Sequence, residues 1–241
     1  MNERYVRQIP VIGDVGQKKL ENASVFLAGC GGLGSPVAFY LAAAGLGHLR
    51  IADRDVVEET NLNRQILHQP DRIGMPKAAS AKQTLEAFNP DIEVMTFASS
   101  IDEKTASRMI GDADIIVDAM DNFIARYVLN EISHALDIPL VHGGVAGLTG
   151  QATLIVPGKT ACLSCIFPDA KTTIGTPILG TTAGVIGLIE AQETIKYLTN
   201  TGKTLAGKLL LWDGAVNRMD IFSVKKSHRC PICSTNYEEK T

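Results

Sequence analysis

The chain predicts an α/β fold: a Rossmann-like, mostly parallel sheet with an antiparallel C-terminal extension. Three observations predict it. Apolar runs bounded by turn residues alternate with helical-period segments through the first two-thirds of the chain, the pattern of βαβ units. The turn Gly29-Cys30-Gly31-Gly32-Leu33-Gly34 fits the G-x-G-x-x-G fingerprint of a strand-turn-helix, whose glycines let backbone approach phosphates at a helix N-terminus. From Gly143 onward the pattern changes to glycine-rich turns and alternating strands, GLTGQATLIVPG, which reads as an antiparallel extension.

Each element follows from local chemistry. Ser24 to Ala28 is the first strand, and the small apolar run from Leu33 to Ala44 is a helix ended by Gly45. Leu49 to Asp53 is the second strand. A helix opens at Met75 or Pro76 and runs through Phe88, stopping before Asn89-Pro90. Ile92 to Phe97, Asp114 to Asp118 and Pro139 to His142 are further strands, separated by helices over Glu103 to Ile110 and Phe123 to Leu136. Phe167 to Thr182, rich in Pro, Gly and Thr without a period, reads as a long mobile crossover loop. Gly184 to Leu198 has an apolar face and is a helix, and Leu209 to Trp212 with Met219 to Val224 form a terminal hairpin. A charged tail from Asn236 to Thr241 is expected to fray. No linker divides the 241 residues, so a single domain is expected. It comprises an N-terminal arm (1–22), a nucleotide-binding half (23–145), and a last part with the antiparallel extension, crossover loop and zinc site (146–241).

Composition narrows the function classes. A net charge of -3 with 45% hydrophobic residues gives no clustered basic face for nucleic acid or anionic membrane. The charged start MNERYVRQIP is no secretory signal, and no run is apolar enough for a span, so a cytoplasmic protein is expected. Four of the five cysteines form two C-x-x-C knuckles, Cys162/Cys165 and Cys230/Cys233. Paired knuckles match a four-thiolate tetrahedral zinc site with no open position, and a redox dithiol is the competing reading.

The charged residues after the glycine turn suit a triphosphate better than a nicotinamide dinucleotide. Asp53 stands where Rossmann folds place a carboxylate on a ribose hydroxyl, a role that serves ATP and NAD equally. Asp55, two residues on, reads either as a metal or cation partner or as a solvated strand-end turn. Thr60-Asn61-Leu62-Asn63-Arg64-Gln65 is dense in amide and guanidinium donors, and Arg64 offers a planar fork for phosphate oxygens. Lys77 falls in a helix first turn, unfavourable against the macrodipole unless an anion lies between. Asp118 and Asp121 sit at a strand's C-terminal end. Of the two, Asp121 is the better Mg²⁺ ligand, or else the cap of the next helix. Arg4 and Arg7 precede any strand, and a partner subunit, rather than the same chain, would order them over the crevice.

The set R-Y-V-R-Q, G-C-G-G-L-G-S-P, A-D-R-D, N-L-N-R-Q, G-M-P-K, V-D-A-M-D-N-F and the two knuckles resembles the ThiF/MoeB/HesA family. These are adenylating enzymes related to ubiquitin-activating enzymes. The resemblance runs in order from Arg4 to Cys233. It implies a homodimer that uses Mg-ATP to adenylate the C-terminal glycine of a small ubiquitin-like sulfur-carrier protein ending in Gly-Gly. Pyrophosphate is released, and a sulfur-donor protein then serves thiamine or molybdopterin synthesis. It implies that the turn of Gly29, Gly31, Gly32 and Gly34 cradles phosphates, that Asp53 and Asp55 complete the nucleotide site, and that Asp53 holds the ribose. Arg64 and Lys77 bind the triphosphate with support from Asn61 and Gln65, Asp121 holds Mg²⁺, and Arg7 reaches across the dimer to the γ-phosphate. Arg64, Lys77, Asp121 and Arg7 are thus the implied catalytic set.

Many relatives carry a loop cysteine that accepts the activated carrier. Here that place falls near Thr173, and no cysteine occurs from Phe167 up to Cys230. A hydroxyl is a far poorer nucleophile than a thiolate, so the reaction is expected to stop at the acyl-adenylate. An NAD(P)-dependent Rossmann oxidoreductase and a catalytically reduced nucleotide-binding regulatory protein are the alternative readings.

Overall fold

Strand side chains alternate between two separate cores, so helices must cover both faces of one sheet. The computed structural model describes residues 3–171 and 176–234. Its elements are α1 (Ile9–Asn22), β1 (Ser24–Ala28), α2 (Gly34–Ala44), β2 (His48–Ala52), α3 (Lys77–Phe88), β3 (Glu93–Phe97), α4 (Ala106–Ile110), β4 (Ile115–Asp118), α5 (Phe123–Leu136), β5 (Leu140–Ala146), β6 (Thr149–Ile155), α6 (Leu163–Ile166), α7 (Gly180–Thr199), β7 (Lys208–Asp213) and β8 (Arg218–Ser223).

The eight strands form one sheet in the order β3-β2-β1-β4-β5-β6-β7-β8. The first five in the chain run parallel, and β6, β7 and β8 extend the sheet antiparallel. Within β1, Val25 and Leu27 join Val37, Leu41, Leu85 and Ile186 in one core, while Phe26 and Ala28 join Met109, Ile116, Leu129 and Cys162 in the other. Helices α2, α3 and α7 therefore cover one face and α4, α5 and α6 the other. Burying each such large side chain contributes about 1.5–3 kcal/mol before ordering entropy is counted. The strand order reverses between β1 and β4, which opens a crevice at the carboxyl ends of these strands.

The segment expected as an N-terminal arm (1–22) carries a helix among its described residues: α1 occupies Ile9–Asn22, kinked where Gly13 adopts φ 74° and ψ 163°. Glycines interrupt its apolar period, which hides it in the sequence. The segment is tied down by Gln8 and Gln17, whose amides both donate to the Ala44 carbonyl (2.7 and 3.2 Å), and by Asn89, which donates to the Tyr5 hydroxyl (3.1 Å). The crossover loop is pinned near both ends. Tyr127 donates its hydroxyl to the Phe167 carbonyl (2.6 Å) and accepts from the Ala170 amide (2.9 Å). On the return, Gly147 N–H donates to the Pro177 carbonyl (2.7 Å). The position near Thr173 and the tail from Asn236 lie outside the described residues.

Candidate functional site

The glycine turn lies at the β1 edge of the crevice, because β1 ends at Ala28 and α2 begins at Gly34. Gly29 holds φ 90° and backs onto the β4–α5 loop, where an added Cβ would lie 3.0 Å from the Ala119 carbonyl oxygen. A Cβ on Gly34 would collide with the Gly29 carbonyl oxygen. These two glycines are thus required by close approach within the turn, whereas Gly31 and Gly32 face side chains of the next segment.

That segment carries the predicted donors. A Cβ on Gly32 would meet the Arg64 Cγ at 3.5 Å, and one on Gly31 would meet the Gln65 Nε2 at 3.6 Å. Arg64 and Gln65 therefore lie directly against the turn. Arg64 is held by Nη1 donating to the Thr60 carbonyl (2.8 Å) and to the Asn63 side chain (2.9 Å). Gln65 is 5% exposed, and its Oε1 has no hydrogen-bond partner among the described residues. Asn61 is committed locally: its Oδ1 accepts from the Glu58 amide (3.1 Å) in a capping box. Through this bond it shapes the turn that presents Arg64 and Gln65.

Asp53 follows β2 and accepts from the Cys30 amide through Oδ2 (3.0 Å) and from the Asp55 amide through Oδ1 (2.9 Å). Oδ1 keeps a second lone pair for a hydroxyl. Lys77 begins α3 and pairs with Asp55 at 3.2 Å. This pairing answers the macrodipole conflict: Asp55 compensates a buried cation at the helix N-terminus. Cys30 is fully buried, and burial, then the Asp53 carboxylate, pushes its thiol well up from the ordinary range. It is held as a thiol, not a nucleophilic thiolate.

At the β4 end the two aspartates separate by environment. Asp118 is fully buried, accepts from His142 Nδ1 (2.7 Å) and the Met120 amide (3.1 Å), and lies 3.7 Å from Arg126 Nε. Asp121 is exposed. The cap of α5 is Asn122, whose side chain accepts from the Ala125 amide (2.9 Å). Capping is therefore not the use of Asp121, which leaves its carboxylate for another ligand at the crevice. Arg7 is exposed, ahead of α1. Its neighbour Gln8 is fastened to Ala44 at the C-terminal end of α2, about 16 Å of helix away from the glycine turn. Within one chain, Arg7 is not brought to the turn.

Residues 5–233, which contain the glycine turn, the crevice and the cations beside it, match the ThiF family. The chain belongs to the ThiF family. It is 38% identical over 239 residues to the SAMP-activating enzyme E1 of Haloferax volcanii, covering 96% of this chain and 88% of that protein. It is 41% identical over 240 residues to the adenylyltransferase and sulfurtransferase MOCS3 of Drosophila sechellia, covering 96% of this chain and 53% of that relative, about half its length. A crystal structure of E. coli MccB with ATP matches with a TM-score of 0.85 and 27% identity, covering 97% of this chain and 75% of that one.

The second centre of this ThiF-family enzyme is built from the two knuckles. Sγ of Cys162 lies 3.4 Å from that of Cys230, and Sγ of Cys165 lies 3.3 Å from that of Cys233. All four sulfurs fall within 4.8 Å of one another. A tetrahedral zinc with ~2.3 Å bonds spaces its sulfurs ~3.8 Å apart, so the set fits such an ion. The centre packs beneath α5, with Cys162 and Cys230 in the same core as Leu129 and Leu163. Among the described residues, no helix is long and apolar enough to cross a membrane.

Sequence reasoning missed two buried groups. His68, four residues past Arg64, touches the glycine turn. Glu190 on α7 is fully buried, with neither carboxylate oxygen hydrogen-bonded among the described residues. Burial, then Asp118, pushes its carboxyl well above the ordinary range. Glu190 lies at helical spacing from Ala183, Ile186 and Gly187 on the buried face of α7, and that period, which sets a carboxylate among core positions, was the signal that could have found it.

Proposed function

We propose that this ThiF-family enzyme uses Mg-ATP to adenylate the C-terminal glycine of a small ubiquitin-like sulfur-carrier protein, releasing pyrophosphate. The observation that carries this reading is the convergence of Arg64, Gln65, Asp53 and the Lys77–Asp55 pair on one glycine turn at the switch-point crevice. A ribose carboxylate and two cations flanking a phosphate-sized turn are the parts that a triphosphate needs. In the reaction, a carboxylate oxygen of the carrier attacks the α-phosphorus in line. The new bond joins oxygen to phosphorus, and the bridging bond to the β-phosphate breaks. No general base is required, because the nucleophile is already ionised. Arg64 and Lys77 offset the repulsion between the two anions. Asp121, exposed and free of capping, is the residue that would hold Mg²⁺, which neutralises phosphate charge when bound.

The anchoring of the N-terminal segment at the far end of α2 supports a homodimer in which Arg7 of each subunit serves the other's γ-phosphate. The absence of a cysteine between Phe167 and Cys230 supports a reaction that ends at the acyl-adenylate. Zinc in the four-thiolate centre, a cytoplasmic setting, and delivery of sulfur for thiamine or molybdopterin complete the reading. The test is ATP–pyrophosphate exchange. Exchange is expected only when a small protein ending in Gly-Gly is present, and exchange without a carrier, or tight NADH binding in preference to ATP, contradicts it. A thiol-sensitive covalent conjugate between enzyme and carrier would refute the acyl-adenylate endpoint.

A further inference from the structure

His68 is 6% exposed and joins three of the elements that bear the nucleotide-facing residues. Its Nε2 lies 3.1 Å from the Cys30 carbonyl oxygen in the glycine turn. Its Nδ1 lies 3.0 Å from Ser80 Oγ, on the helix that begins with Lys77. Its own amide donates to the Gln65 carbonyl at 3.1 Å, on the segment of Arg64. A carbonyl only accepts, so Nε2 carries the ring proton and donates to Cys30, while neutral Nδ1 accepts from the Ser80 hydroxyl. Burial holds the imidazole below its ordinary range, and the Lys77 cation pushes in the same direction. The neutral, Nε2-protonated form is therefore the resident one at neutral pH.

The consequence lies in the geometry of one peptide. In a planar trans peptide the carbonyl and the following N–H point in opposite directions. The Cys30 carbonyl is drawn inward to His68, so the Gly31 N–H is turned outward, toward the crevice. The preceding peptide is fixed as well, since the Cys30 N–H is held by Asp53 at 3.0 Å. Two side chains thus clamp Cys30 from both of its peptide groups.

We propose that His68 is a positioning residue for the triphosphate: by holding the Cys30 carbonyl it aims the Gly31 N–H at a phosphate oxygen and ties the Lys77 helix to the same frame. The inference rests on the reading that this turn binds ATP. Without the clamp the Cys30–Gly31 peptide can rotate, and the donor is lost to phosphate although no residue that touches nucleotide has changed.

The test compares two amides of the full chain, His68→Gln and His68→Asn. A glutamine amide reaches the place of Nε2 and can donate to Cys30, whereas an asparagine amide stops at the place of Nδ1 and meets only Ser80. Both remove the ring, so the packing loss is common to the pair. We expect His68→Gln to bind ATP within about threefold of the unaltered protein and His68→Asn to bind it about tenfold or more weakly, with similar melting temperatures for the two. Equal ATP affinity for the two variants, whether both strong or both weak, overturns the inference. Arg64→Ala separates the levels: if it too leaves ATP binding intact, the nucleotide reading of the turn has failed rather than the role of His68.

Discussion

Arg64 is fastened by Thr60 and Asn63 while its aliphatic stem lies along Gly32, so the guanidinium is placed before any ligand arrives. Such preorganised charge contributes most when the reaction's charge develops beside it. Arg64→Ala or Asp121→Ala should slow ATP–pyrophosphate exchange by roughly 10²-fold or more, with little change in melting temperature. Glu190 makes a different prediction. An unfolded glutamate titrates near 4.5, and the folded value lies well above it because of burial and then Asp118. The folded chain therefore keeps a proton that the unfolded chain releases. That contribution is full below the unfolded value and is lost as pH rises toward the folded one. Glu190→Gln removes the loss. Thermal melts should show the variant gaining on the unaltered protein as pH rises from about 5 to about 8, by roughly 2–4 °C for each kcal/mol recovered. A constant difference across that range would contradict the buried proton. At this scale the sequence was legible in where charged groups gather: Arg64 lies against the glycine turn, Asp53 holds the Cys30 amide, and Lys77 pairs with Asp55. His68 was not legible because burial, not residue type, defines what it does, whereas Glu190 could be read only by asking why a carboxylate falls on the apolar face of α7.

Helix α7 shows how an element is positioned for the site. A Cβ at Gly187 would lie 2.5 Å from the Leu33 carbonyl oxygen and 2.5 Å from Pro36 Cγ, so the glycine is what lets α7 press onto the start of α2. Gly184, one turn earlier, has no atom within 4 Å of such a Cβ. Gly187→Ala should destabilise the protein by about 1–3 kcal/mol through overpacking and weaken ATP binding by displacing the turn at Leu33. Gly184→Ala should stabilise it by about 0.5–1 kcal/mol through helix propensity. Denaturant melts of the pair check both signs. Most elements were readable because apolar period and end signals agree: the pattern predicts α5 over Phe123 to Leu136 and it forms over that span, and α2 ends at Gly45 as its left-handed cap requires. The start of α7 was not, since Gly180, Thr181 and Thr182 read as loop. Contact supplies what propensity lacks there: the Thr182 hydroxyl donates to the Gly147 carbonyl at 3.0 Å, docking the first turn on the β5–β6 hairpin. The kinked α1 was hidden for the same reason, its glycines being offset by the anchors on Ala44.

For the whole molecule, the two centres have separate duties. The four-thiolate centre joins the start of the crossover loop to the segment after β8, and chelation or Cys162→Ser should lower the melting temperature strongly, since a structural zinc contributes on the order of 10 kcal/mol. The C-x-x-C spacing made that centre legible at a separation that no periodicity argument could bridge. The proposed nucleotide site bears on assembly. Because the segment of Arg7 is anchored through Gln8 at the C-terminal end of α2, each site is expected to borrow Arg7 from a partner. Mixing Arg7→Ala subunits with Arg64→Ala subunits, each nearly inactive alone, should restore roughly a quarter of full exchange activity through one intact composite site in each mixed dimer. No recovery would place Arg7 outside the reaction.

The direct test of the chemistry follows one oxygen. A Gly-Gly-ended carrier carrying heavy oxygen in its terminal carboxylate is incubated with the enzyme, Mg²⁺ and ATP, and the released AMP is analysed after an acceptor thiol discharges the adenylate. Attack of the carboxylate on the α-phosphorus predicts one carboxylate-derived oxygen in AMP and none in pyrophosphate. AMP free of the label, or label appearing in phosphate released from the γ-position, would contradict adenylation at this site.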